Sequence, residues 1–144
     1  MTLDKIIDVA AGLVFRGGRL LITQRFPTAH LGGYWEFPGG KREPAESFEA
    51  CLHRELQEEL AIEVAIISLV ESITHHYPEK SVHLQFFRCQ WLRHEPQPIG
   101  CHDLAWITQD ELAHYSFPPA DDRLLEKLRT HWSALASPSA PSFP

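Results

Sequence analysis

Apolar and polar residues change period several times along this chain, and each change marks an element. Residues 6–15 (IIDVAAGLVF) are β-prone and mostly apolar. Arg16-Gly17-Gly18-Arg19 then has the make-up of a hairpin turn into a second strand, Leu20–Arg25. Residues 26–34 (FPTAHLGGY) carry Pro and Gly and read as a loop. Trp35–Phe37 is a short extended piece that runs into Pro38-Gly39-Gly40. From Ser47 to Leu60 the period becomes helical, with Phe48, Leu52, Leu56 and Leu60 spaced by four. Strands are expected at 64–77 and 81–92, joined at Pro78-Glu79-Lys80, because Val82, Leu84 and Phe86 alternate with His83, Gln85 and Phe87. Leu104–Ile107 is another short strand. Thr108 and Glu111 have capping-box spacing ahead of a short helix. Residues 118–135 open with prolines and acids and continue in helical period, which suits a helix N-terminus.

Mixed strands and helices with antiparallel hairpins imply an α+β fold or an α/β/α sandwich. At 144 residues the expectation is one domain over 1–136. The stretch 137–144 (SPSAPSFP) is rich in Pro and Ser and reads as a disordered tail. No internal repeat is visible.

Composition narrows the function classes. With 44% hydrophobic and 22% charged residues the chain is ordinary for a globular protein. A formal net charge of −6 argues against binding a nucleic-acid polymer, but not against a phosphorylated small molecule accompanied by a cation. Cys51, Cys89 and Cys101 have no CxxC spacing, so buried, reduced thiols and a cytoplasmic setting are expected. The N-terminal segment is interrupted by Asp4, Lys5 and Asp8 and has no signal-peptide or membrane-span layout. Whether the protein is a monomer or a homodimer is not legible.

The helix over 47–60 carries the chemistry. On a wheel of ~100° per residue, Glu55, Glu58 and Glu59 share an arc that overlaps the side of Phe48, Cys51 and Leu52. Like charges at these spacings destabilise a helix, and acids near its C-terminus oppose its dipole. A solvated acidic face is one reading of the three glutamates. A bound cation is the other, and ligands that are all oxygen favour a hard ion, Mg²⁺ or Mn²⁺.

The surrounding residues, Gly40-x5-Glu46-x7-Arg54-Glu55-Leu56-Gln57-Glu58-Glu59-Leu60-Ala61-Ile62, resemble the Nudix box. The one departure is Ala61, where the family has glycine. Within that family the chain looks MutT-like in Leu20–Arg25, Ala29-His30, Trp35–Lys41, Tyr77-Pro78 and Phe117-Pro118-Pro119-Ala120. The resemblance covers roughly residues 6–130. It implies the Nudix α/β/α sandwich and a metal-dependent hydrolase that splits a nucleoside triphosphate into nucleoside monophosphate and pyrophosphate. Oxidised nucleotides such as 8-oxo-dGTP are the first substrates to expect, and CTP or 5-methyl-dCTP the alternative. A nucleotide-sensing module without catalysis is the competing class.

By that resemblance Glu55, Glu58, Glu59 and the Gly39 carbonyl hold the metal, and Glu55 also positions or deprotonates the attacking water. Arg54 and Glu46 orient the glutamates, while Arg25 and Lys41 are placed to meet phosphates. Asp121 stands where the family reads the base, with Asp122, Tyr77, Phe117 and His30 as further base contacts. An ionised carboxylate only accepts hydrogen bonds, which suits the N1–H and N2–H₂ of guanine or the N4–H₂ of cytosine. Asp121 reads equally as a helix cap. MutT-like proteins often carry a further glutamate before the late-strand Trp. Here that place holds Ala105, with His102 and Asp103 nearby, so the general base is left open.

Overall fold

The computed structural model describes residues 5–138. Strands β1 (Lys5–Arg16), β2 (Arg19–Gln24), β3 (Trp35–Glu36), β4 (Gly39–Lys41), β5 (Glu63–His76), β6 (Lys80–Arg93) and β7 (Asp103–Ile107) form a single mixed sheet. Its main path runs β3-β2-β1-β6-β5, while β4 pairs with β1 and β7 with β2. Only β1 and β6 are parallel, in register from Lys5↔Lys80 to Phe15↔Gln90; the other ladders are antiparallel. Helix α1 (Phe48–Leu60) covers one face and α2 (Asp122–Ala136) the other, which is the expected sandwich.

Alternation along the strands fills both layers. Ala10, Val14, Leu21, Phe87 and Cys89 meet Cys51, Leu52, Leu56 and Leu60 of α1. Leu13, Phe15, Ile22 and Phe86 meet Leu124, Leu125, Leu128 and Trp132 of α2. The α1 leucines are at most 1% exposed, and each contributes roughly 1.5–3 kcal/mol by leaving water. Cys51, Cys89 and Cys101 are free and buried, as expected.

Several boundaries differ from the sequence reading. β4 was not expected: its three residues carry no alternation, and only the β1 ladder makes it a strand. The short helix after Thr108 is a 3-10 turn over Asp110–His114, with the Glu111 carboxylate accepting from the Thr108 N–H at 2.9 Å. Residues 119–121 are also 3-10, so the α-helix starts at Asp122, later than proline alone implies. Residues 139–144 of the expected tail lie outside the described residues. Among the described residues no helix is long and apolar enough to cross a membrane.

Candidate active site

The β1–β4 ladder and α1 build one wall of a cavity of about 490 Å³, within the size range of small-molecule sites. Ser47 caps α1 by accepting from the Ala50 N–H at 3.0 Å, which fixes where the helix begins and which carboxylates it delivers. Gly39, Gly40, Lys41, Glu55 and Glu59 line the cavity from β4 and α1. Pro118, Ala120 and Asp121 line it from the segment ahead of α2, and Phe37, Phe86, His30, Leu31, Tyr77, Lys80 and Val82 complete the lining.

Close approach explains the diglycine. A Cβ on Gly40 would lie 2.3 Å from the Glu55 carboxyl, and one on Gly39 would lie 2.0 Å from the Ala10 carbonyl oxygen. No side chain fits at position 39 without moving β4 off β1, and one at position 40 would push the Glu55 carboxyl out of its place.

Arg54 organises the acids. Its Nη2 and Nε donate to Glu46 at 2.6 and 3.0 Å, and Nη1 donates to Glu55 at 2.9 Å and Glu58 at 3.2 Å. Nη2 also reaches the Lys41 carbonyl at 3.0 Å, tying β4 to the helix. These bonds, with the Glu43 N–H, hold the Glu46 carboxyl down at about 2.

Glu59 has the opposite environment. Burial, reinforced by Glu55, Glu36 and Glu58, pushes its carboxyl up to about 8, and no hydrogen bond or ion pair reaches it among the described residues. Burial also raises Glu55, against the opposing effect of Arg54. A desolvated carboxylate beside like charges is what a hard cation would relieve. With the side-chain-free backbone at Gly39, the donor set fits such an ion. The set is not drawn together in advance: the Glu58 side chain is 59% exposed and turned to Arg54. Among the described residues no trio of His, Cys, Asp or Glu converges on one point.

Asp121, which lines the same cavity, is 8% exposed and makes no side-chain cap to α2. Its carboxyl has no hydrogen-bond partner among the described residues, and burial together with Glu36 and Asp122 pushes it up to about 7. Asp122 is exposed and absent from the cavity lining. Phe117 does not line it either, because its ring stacks on Phe37 at 5.1 Å. Tyr77 and His30 meet edge-on at 6.4 Å on the rim. His102 packs against Phe26 and Asp103 accepts from the Leu104 N–H; neither lines the cavity.

Two charged lining residues escaped the sequence reading. Glu36 sits beside Arg25, and burial raises its carboxyl even against that guanidinium. Lys80 enters from the start of β6. Glu36 lies within the run Trp35–Lys41 already singled out, so its position was visible but not its contact with Arg25.

A family profile for the NUDIX domain matches residues 10–127. A CTP pyrophosphohydrolase of Escherichia coli is 36% identical over 122 residues, covering 85% of this chain and 90% of that protein. An 8-oxo-dGTP diphosphatase of the same organism is 32% identical over 126 residues, covering 87% and 98%. The solution structure of the E. coli ORF135 protein superposes with a TM-score of 0.75 at 33% identity, covering 96% of this chain and 99% of that one. With an intact acidic helix, a diglycine strand packed against it and a profile match over most of its length, the chain belongs to the NUDIX family of hydrolases.

Proposed function

We propose that this protein is a Mg²⁺-dependent nucleoside triphosphate pyrophosphohydrolase that releases nucleoside monophosphate and pyrophosphate, with oxidised nucleotides such as 8-oxo-dGTP as substrates. The observation that carries the proposal is that one cavity is lined both by the helix carboxylates Glu55 and Glu59 and by the buried Asp121. Relatives active on 8-oxo-dGTP support it.

Glu55, Glu58, Glu59 and the Gly39 carbonyl are the residues that would hold a divalent ion, which supplies charge neutralisation at the phosphate oxygens. Arg54 and Glu46 keep Glu55 aimed into the cavity, and Glu55 orients or deprotonates the attacking water. Lys41 lines the same cavity and supplies a cation for the polyphosphate. Asp121 meets the base: ionised, it accepts from guanine N1–H and N2–H₂; protonated, it also donates. That second state favours one further reading, a CTP-type substrate, since cytosine offers a donor at N4 and an acceptor at N3. The CTP pyrophosphohydrolase relative supports this reading.

Pyrophosphate release from 8-oxo-dGTP, dGTP, CTP and 5-methyl-dCTP with Mg²⁺ tests both readings. Glu55→Gln is expected to lower kcat by about 10²-fold or more, the range of a general base or of a charge group acting in the transition state. Undiminished turnover in that variant removes Glu55 from the chemistry. A wild-type protein that binds nucleotides and hydrolyses none would be a sensing module.

A further inference from the structure

We infer that Gly100 is a positioning residue for Glu59: the segment between β6 and β7 directs that side chain into the cavity and so sets the affinity of the carboxylates for a divalent cation. The inference rests on the proposed cation role of those carboxylates.

None of residues 94–102 lines the cavity, yet the segment is bound to the end of α1. A helix leaves its last four carbonyls without partners of its own. Here the Gln97 N–H donates to the Leu60 carbonyl at 2.9 Å, and the Ile99 and Gly100 N–H groups both donate to the Glu59 carbonyl, at 3.1 and 3.0 Å. The far side of the segment is anchored too. Cys101 is 7% exposed among the apolar residues that pack on α1, and the His102 N–H donates to the Gln24 carbonyl of β2 at 2.8 Å. Tied to both α1 and β2, the segment has little freedom to withdraw.

Gly100 stands where this segment presses on the glutamate. A Cβ there would lie 2.8 Å from Glu59 Cγ, 3.1 Å from its Cβ and 3.3 Å from its Cα. The Gly100 backbone is not left-handed, so the close approach requires glycine and the local conformation does not. Cγ is placed by the first side-chain torsion, and a neighbour at this distance removes staggered positions from it. The carboxyl beyond Cγ lines the cavity, and no hydrogen bond or ion pair aims it among the described residues. Glu55 differs, since Arg54 holds it at 2.9 Å. Glu59 therefore takes its direction from packing, and a side chain at position 100 would change that packing at Cγ.

Gly100→Ala forces Cγ to another staggered position and turns the carboxyl away. Binding of Mn²⁺, followed by the electron paramagnetic resonance signal of the free ion, reads the consequence without catalysis. Gly100→Ala is expected to weaken Mn²⁺ binding by about tenfold, the size of effect seen when residues supporting a metal ligand are lost. In a Glu59→Gln background the same substitution should change binding by less than about twofold, because the ligand it displaces is already gone. Unchanged affinity in Gly100→Ala overturns the inference. So does an equal loss in both backgrounds, which would give Gly100 a structural role alone. If Gly100→Ala folds poorly, combining it with Glu59→Ala, which removes Cγ, should recover the denaturant midpoint of Glu59→Ala. Failure to recover places the clash elsewhere and also overturns the inference. A wild-type protein that binds no Mn²⁺ refutes the proposed cation role, and recovery of the midpoint then decides whether Gly100 directs Glu59.

Discussion

Asp121 shows how a single carboxyl can carry both a stability cost and a selective contact. Its raised position, at about 7 against an ordinary 3.8, means that the folded chain holds a proton which the unfolded chain gives up near pH 4. Between those limits the native state binds more protons than the unfolded state, so stability is greatest below about 3.8 and falls as pH rises through about 7. The loss from this group is on the order of a few kcal/mol. Asp121→Asn abolishes the ionisation, so denaturant midpoints of the variant, compared with wild type, should lack this descent. Equal slopes in the two proteins would show that Asp121 ionises without penalty. The same substitution places an amide donor where the carboxylate only accepts, and the ratio of kcat/KM between guanine and cytosine triphosphates should shift by about tenfold or more. An unchanged ratio removes Asp121 from base reading. Sequence left cap and base contact equal at this position. The absence of a cap bond in the folded chain separates them, because a cap depends on side-chain direction and not on residue type.

Helix α1 concentrates the chain's departures from local preference. It carries Glu55, Glu58 and Glu59 toward its C-terminus with no basic residue in the last turn, and it ends on Ala61 at φ 58, ψ 37. The Ala61 N–H donates to Gln57 at 3.0 Å and Ile62 N–H to Leu56 at 3.4 Å, so the termination pattern is that of a glycine cap built with alanine. A Cβ in the left-handed region costs roughly 1–2 kcal/mol, partly offset by the smaller entropy alanine loses on folding. Ala61→Gly is therefore expected to stabilise the protein by about 1 kcal/mol and raise Tm by about 3 °C by calorimetry. A lower Tm would mean that the methyl group packs usefully. The helix itself was legible because its leucines repeat at one spacing, and β5 and β6 because their residues alternate or branch at Cβ. β4 and the 3-10 turn before α2 were not, since three residues of Gly-Gly-Lys or Pro-Ala-Asp have no period of their own and take their geometry from β1 and from the chain around Pro118.

Across the whole molecule, the folded chain gathers Glu55, Glu59, Glu36 and Asp121 around one cavity in a protein whose formal net charge is already −6. The acids of α1 were legible as a group because one helix turn places them together. Their meeting with Asp121 on one cavity, the engagement of Arg25 by Glu36, and the apolar lining of Val82, Leu84 and Phe86 were not, because these depend on pairings between segments far apart in the chain. Of the cations facing the acids, Arg54 is shared among Glu46, Glu55 and Glu58, and none reaches Glu59 by a hydrogen bond or ion pair among the described residues. A divalent ion at these acids would bind the folded state alone, since the unfolded chain disperses the glutamates. Linkage then gives about 2.7 kcal/mol of stabilisation at a free-ion concentration a hundred times its Kd, or a rise of roughly 8 °C in Tm. MgCl₂ at constant ionic strength should produce that rise in wild type, EDTA should reverse it, and Glu59→Gln should lose at least half of it. General screening of a −6 chain predicts the same shift in both proteins and with NaCl alone. Equal shifts would place the ion away from Glu59 and leave the buried acid without the cation that its surroundings favour.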